Sequence, residues 1–171
     1  MQPETEIEVV TFAYYDSPIG ILKIGGTDLY ITEISFADKE NEPASNTAEP
    51  SQLIHRCIEQ LIEYFTGTRQ VFDIPYHQSG TAFQEKVWAK LAEINYGNTY
   101  SYGDLAKKLG DPKVIRAAAA ANGKNKLMIL VPCHRVIGAD RSLVGYAGGM
   151  PKKKWLLQHE FRIKHGVQTL F

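Results

Sequence analysis

The division of charge along this chain constrains it most. Residues 1–80 carry four Lys/Arg against 13 Asp/Glu, a net of −9, while residues 81–171 carry 15 against six, a net of +9. The whole-chain balance of zero therefore hides two surfaces of opposite sign. A split of that size implies two domains, 1–78 and 79–171, of which only the second attracts a polyanion unaided. A basic face that gives solubility alone, or that docks on the acidic half, fits the same counts. With 44% apolar residues the chain can bury a core without disulfide or metal staples. No apolar run reaches the roughly 18 residues a membrane span needs. The N-terminal MQPETEIEVV lacks the basic-then-apolar order of a secretory leader, so none is expected. Two cysteines 76 positions apart indicate no disulfide framework and fit a reducing compartment, the cytoplasm or, in a eukaryote, the nucleus.

The first half reads as a small α/β unit. IEVVTFAYY (7–15), ILKIGG (21–26) and LYITEISF (29–36) are β-branched and aromatic runs bounded by turn residues, as in consecutive antiparallel strands. An acidic, Pro-containing loop is expected over 37–50. Ser51 suits the cap of a helix to Phe65, with Leu53, Ile54, Cys57, Ile58, Leu61, Ile62 and Phe65 on one stripe and Gly67 as the stop. Cys57 on that stripe reads as a packed core thiol. VFDIP (71–75) reads as a short strand.

The second half reads as mainly helical. Thr81 with Gln84, and Ser101 with Asp104, are capping boxes for helices over about 82–94 and from Tyr102. Asp111-Pro112 suits the start of a further helix through Ala117–Ala121 that ends near Asn122-Gly123. Two short helices across a Gly-containing turn have helix-turn-helix spacing, which a plain helical hairpin shares. The alanine run leaves a helix with little side-chain bulk. Only Lys113 and Arg116 offer long polar groups, so on DNA this helix would read few bases and use the backbone and the shallow groove. Close helix–helix packing accounts for the same alanines.

LMILVPCHRVIG (127–138) carries the chemistry. Met128–Val131 read as a buried strand, ended by Pro132 and followed at once by Cys133, His134 and Arg135. A cysteine beside an apolar run is commonly structural. A polar pair next to it is not a core choice, and a cation with an imidazole favours thiolate over thiol. Neighbouring side chains diverge, so His134 is expected to act on Cys133 through a water, as a base. A carboxylate should fix the imidazole tautomer, and the candidates are Glu85, Glu93, Asp104, Asp111, Asp140 and Glu160. Metal-ligand spacing is lacking, so neither a metal nor another cofactor is expected.

VPCHRV (131–136) resembles the active-site signature of the methylated-DNA–protein-cysteine methyltransferases, the O6-alkylguanine-DNA alkyltransferases. GTAFQEKVWAKL (80–91), Gly97 with Thr99-Tyr100-Ser101-Tyr102, Arg116, Ala121–Asn125, GYAGG (145–149) and KWLLQHE (154–160) follow in the family's order and spacing. The resemblance implies a ribonuclease-H-like α/β N-terminal domain and a mainly α C-terminal winged helix-turn-helix domain. It implies a monomer that binds duplex DNA containing O6-alkylguanine in the minor groove and flips the base, with no membrane partner. O4-alkylthymine is implied as a second substrate. Cys133 would accept the alkyl group once, irreversibly. His134 would be the base through water, Glu160 its orienting partner, and Tyr102 a donor to guanine N3. Arg116 would fill the vacated stack, with Ala117 and Ala118 beside it at the DNA. Asn125 would tie down the cysteine turn. The carbonyls of Cys133 and Val136 would accept from the exocyclic amine. Tyr146 and Ala147 would line the site, Ala147 offering its main-chain N–H to O6. Lys126 and Asn95 stand where the family usually has proline, which would loosen both turns.

Two other functions compete on the residues. A lesion-binding module without transfer would carry another residue at position 133. A thiol hydrolase with a Cys-His-Glu triad leaves Arg116, the helix pair and the basic half unexplained.

Overall fold

The computed structural model describes residues 8–37, 48–143 and 145–166. The loop expected over 37–50 lies mostly outside them. Three antiparallel strands open the fold in the order β1 (Thr11–Ser17), β2 (Gly20–Gly26) and β3 (Ile31–Phe36). The β1–β2 turn is tight because Gly20 takes φ +121° and the Ser17 hydroxyl donates to the Gly20 carbonyl. Helix α1 (Gln52–Thr66) covers one face of this sheet. Ser51 caps it through the Ile54 amide, and Gly67 ends it at φ +87°. Its buried stripe is rotated from the expected one. Ile62 is exposed, whereas Gln60 and Tyr64 turn inward. Gln60 is tolerated there because it accepts from the Asp73 amide and donates to the Asp73 carbonyl.

VFDIP is not a strand. Its segment meets β3 at one isolated parallel bridge, Ile31 to Tyr76, with Ile31 N–H donating to Pro75 O and His77 N–H donating to Ile31 O. The remaining edge of β3 is covered from the second half. Ile34 N–H donates to Lys126 O and Met128 N–H donates to Ile34 O. The exposed sheet edge is thereby closed by the segment that leads into Cys133.

In the second half, α2 (Ala82–Leu91) begins at a complete Thr81/Gln84 capping box. The two-residue β4 (Tyr100–Ser101) leads into α3 (Tyr102–Lys108), which has a complete Ser101/Asp104 box. Pro112–Val114 form a 3-10 turn capped by Asp111, and α4 (Ile115–Gly123) follows, so the expected single helix is divided. Trp88 on α2 donates its indole N–H to Ala121 O, fixing α4 against α2. A 3-10 turn over Cys133–Arg135 runs into β5 (Val136–Ile137), which pairs in parallel with β4. The chain closes with α5 (Met150–His165). One apolar cluster joins the halves, with Ile34, Ile54 and Tyr64 from the first and Leu127, Val131 and Leu156 from the second. Cys57 is buried in it, and burial pushes its thiol up to about 12.

The capping box gives a direct test. Thr81→Ala leaves the first-turn amides of α2 without their side-chain acceptor. It should lower stability by about 1 kcal/mol, read as a reduced urea midpoint at unchanged slope.

Candidate active site

The expected strand at Met128–Val131 is replaced by successive tight turns. Leu130 N–H bonds to Met128 O at 2.8 Å, which centres a three-residue turn on Ile129 with φ +72°. A β-branched residue in that region is strained, at a cost of roughly 1–3 kcal/mol. Cys133 N–H then bonds to Val131 O at 2.8 Å around Pro132, whose φ −80° and ψ 64° suit an inverse γ-turn. A strand is impossible because these amides bond within their own segment. Asn125 braces the turns from outside, donating Nδ2 to Val131 O at 2.8 Å while its Oδ1 accepts from Leu127 N–H and Gln78 Nε2. Lys126 is itself tied into this segment. Its N–H, which proline would lack, donates to Gln78 Oε1 at 2.9 Å. Asn95 likewise sits in a closed turn, its carbonyl accepting from Asn98 N–H.

Cys133 is buried, 5% exposed. Burial pushes its thiol up. The Asn125 side chain, the Lys153 charge and the backbone amides of Cys133 and His134 pull the other way without overcoming it. The expectation that His134 and Arg135 hold a thiolate is therefore not met in this state. Arg135 directs its guanidinium at Glu160, with Nε to Oε1 at 2.6 Å, and at Ile94 O. The cation that acts on the sulfur is Lys153, which is wholly buried. Burial lowers it to about 8, and its Nζ donates to Val136 O at 2.6 Å. That carbonyl was expected to receive a substrate amine.

Of the six carboxylates weighed from sequence, Glu160 is the one that meets His134, at 2.6 Å from Nε2 to Oε2. Burial alone would push Glu160 up, but His134 and Arg135 outweigh it and hold the carboxyl at about 2. At His134 burial prevails over the carboxylate beside it and lowers the ring. An ionised carboxylate only accepts, so neutral His134 donates from Nε2 and carries its lone pair on Nδ1. Nδ1 is buried and has no hydrogen-bond partner among the described residues. Tyr64 of α1 also donates to Glu160 Oε2, at 2.9 Å.

Tyr102 begins α3, and its hydroxyl lies 3.5 Å from where a Cβ of Gly145 would stand. Burial raises it, so it stays a donor, and the Asn122 side chain bonds to it. Asn122 also donates to Cys133 O at 3.4 Å. The Tyr146 ring packs edge-on to Phe36 of β3, with its hydroxyl buried. Ala147 is exposed on the same glycine-rich loop, and a Cβ at Gly148 would collide with the Phe36 ring. Arg116 and Ala117 are exposed on α4, but Ala118 is wholly buried. The expectation of Ala118 at DNA is corrected: on a helix its face points into the α2–α4 contact. Cavities of about 310 and 250 Å³ flank the cysteine turn, the first against Trp88 and Val131 and the second against Ile129, Pro132 and Arg135. Cys133 lines neither.

Sequence reading missed Tyr64 and Lys153. Positions 57, 60, 61 and 64 share a helix face, and so do 153, 156, 157 and 160. That spacing was the available signal, obscured for Lys153 by a run of three lysines. Among the described residues, no group of three His, Cys, Asp or Glu side chains is placed to hold a metal.

Both His134 and Glu160 are lowered on folding, so the unfolded chain binds more protons below neutrality. Stability should fall as pH drops below about 6.5, and further between about 4.5 and 2, by on the order of 3 kcal/mol from Glu160. Urea midpoints across that range would show it. Glu160→Gln should flatten the lower part.

The profile of the 6-O-methylguanine DNA methyltransferase ribonuclease-like domain matches residues 10–77, and that of its DNA-binding domain matches residues 82–162. A methylated-DNA–protein-cysteine methyltransferase of Mycolicibacterium paratuberculosis is 41% identical over 164 residues, covering 95% of this chain and 99% of the relative. One from Methanosarcina acetivorans is 40% identical over 87% of this chain and 97% of the relative. The crystal structure of Mycobacterium tuberculosis O6-methylguanine methyltransferase superposes with a TM-score of 0.80 at 40% identity, covering 90% of this chain and 93% of that one. The same protein in complex with DNA superposes at 0.79. With both profiles matched in order and relatives aligned over nearly their whole length, the chain belongs to the methylated-DNA–protein-cysteine methyltransferase family.

Proposed function

We propose that this protein repairs O6-alkylguanine in duplex DNA, and O4-alkylthymine as a second substrate, by a single irreversible transfer of the alkyl group to Cys133. It acts as a monomer whose functional units are 1–78 and 79–171. The observation that carries the reading is the polarised relay on the residue next to Cys133 in the chain. Glu160 is ionised, His134 donates to it, and the basic Nδ1 is left over. A neutral buried thiol needs such a base.

The base-bearing nucleotide is flipped because its alkyl carbon is out of reach inside the stack. Exposed Arg116 fills the space, with Ala117 permitting close approach of α4 to the minor groove. The extruded purine reaches the sulfur between Tyr146 and the main-chain N–H of Ala147. The thiol proton passes through water to His134 Nδ1. Sulfur attacks the alkyl carbon, the C–O6 bond breaks, and its electron pair leaves with guanine. Tyr102, kept protonated by burial, donates to guanine N3. Asn125 holds the turn that aims the sulfur, and the carbonyls of Cys133 and Val136 accept from the exocyclic amine. The thioether formed is stable, so each molecule acts once. A raised thiol also protects an irreplaceable sulfur from oxidation before DNA arrives.

Exposure to an O6-methylguanine oligonucleotide should add about 14 Da to the peptide containing Cys133, with no further increase in excess substrate. Cys133→Ala should bind DNA and take up nothing. Label absent from the unaltered protein, or present on the alanine variant, would reject the proposal. Arg116→Ala should slow reaction with duplex more than with free base, and equal losses on both would remove its role in flipping. The lowered imidazole predicts a transfer rate that holds through neutrality and falls only below the ordinary imidazole range, and the raised thiol, with the Lys153 charge lost above about 8, predicts no rise on the alkaline side. A tenfold rise per pH unit above 7 would instead indicate direct attack by free thiolate.

A further inference from the structure

We infer that Tyr64, on the ribonuclease-like half, is a positioning residue for the transfer reaction: its hydroxyl sets how the Glu160 carboxylate holds His134. The inference rests on the alkyl-transfer reading of Cys133 and adds a participant from the half that carries none of the reacting groups.

Consecutive residues of α5 grip Tyr64 at two points. His159 donates Nε2–H to the Tyr64 carbonyl at 2.7 Å, and the Tyr64 hydroxyl donates to Glu160 Oε2 at 2.9 Å. The partners are 95 and 96 positions apart in sequence, so this contact joins the two halves. Glu160 Oε2 is the same oxygen that receives His134 Nε2–H. That oxygen also takes the longer Arg135 contacts, Nε at 3.4 Å and Nη2 at 3.3 Å, and the Tyr64 hydroxyl as a further short donor restrains its rotation and draws charge from it.

The ring itself is clamped. It lies edge-on to Phe65, Tyr96 and His159 and tilted against Phe72. Tyr64 is fully buried, and phenylalanine would satisfy every one of those ring contacts. Burying a hydroxyl is costly unless it is paired, and here its partner is the relay carboxylate. Burial and the Glu160 charge push the phenol well above its ordinary range, so it donates at any working pH.

The groups that face His134 set the sign of the expected change. They are Glu160 and Lys153 on α5, Arg135 on its own turn and, through Glu160, Tyr64 on α1. Removing the hydroxyl leaves more charge on Oε2. The carboxylate then holds protonated His134 more strongly, and the imidazole titrates at higher pH.

The test is single-turnover transfer of labelled methyl from an oligonucleotide, from pH 5 to pH 9, together with NMR titration of His134. The full chain is used unaltered, as Tyr64→Phe, and with 3-fluorotyrosine placed at position 64, where the shape is kept and the hydroxyl donates more strongly. Tyr64→Phe should move both the acid limb and the His134 midpoint up by about one pH unit, so that transfer slows by up to about tenfold at pH values below both midpoints. The fluorinated ring should move both downward, and it decides the matter should the phenylalanine variant fail to fold. DNA affinity should be unchanged in each. Uniform slowing with limb and midpoint unmoved, or no effect of either change, would reduce Tyr64 to a packing residue and leave the alkyl-transfer reading intact. No transfer by the unaltered protein would overturn both.

Discussion

Glu160 is a carboxylate with 1% of its surface exposed that nevertheless stays ionised. Such a charge is tolerable only when fully paired. Its two oxygens accept from His134, from Arg135 and from Tyr64. Those donors come from the cysteine turn and from α1, while the carboxylate belongs to α5. One buried charge thus holds together the base of the proposed relay, the cation behind it and the two halves of the chain. Replacing any donor leaves charge uncompensated in a medium that cannot screen it, so the three segments are specified jointly.

The cysteine is held by a different principle. Two three-residue turns in succession, the first with Ile129 at a positive φ, present Cys133 at the start of a 3-10 turn rather than on a strand. The strain is tolerated because neighbours over-determine it. Asn125 bonds the backbone on both sides, and Gln78 bonds Asn125 and the Lys126 amide together. Hydrogen bonds to the Lys126 amide and the Asn125 side chain supply the rigidity here. The turn exposes little sulfur, and the buried Lys153 ammonium is the compensating charge nearest to it in effect.

Legibility in the sequence followed the range of the interaction. The capping pairs Thr81/Gln84 and Ser101/Asp104, the Ser51 cap and the Gly67 stop were readable because each is satisfied within a few residues. The apolar run 128–131 was misread because its composition suits a strand equally well. What decides is where the amides bond, and Asn125 and the edge of β3 settle that. Ile62 and Tyr64 exchanged places on α1 because periodicity defines a face only to within one residue, and the Tyr64–Glu160 bond selects between them. The resemblance placed Ala118 at the DNA beside Ala117, and a run of five alanines carries no directional signal that could have separated the two.

The sequence by itself indicated a charge split near residue 80, the helix starts at Ser51, Thr81 and Ser101, the Gly67 stop, and Cys133 with His134 as the candidate reacting pair. These depend on charge density, local caps and neighbours in the chain. Only the tertiary structure decided which of six carboxylates pairs with His134, that Arg135 is neutralised rather than turned on the sulfur, and that Lys153 and Tyr64 belong to the site. Those outcomes depend on which groups lose water together, and pairing across some 95 residues leaves no mark in local sequence.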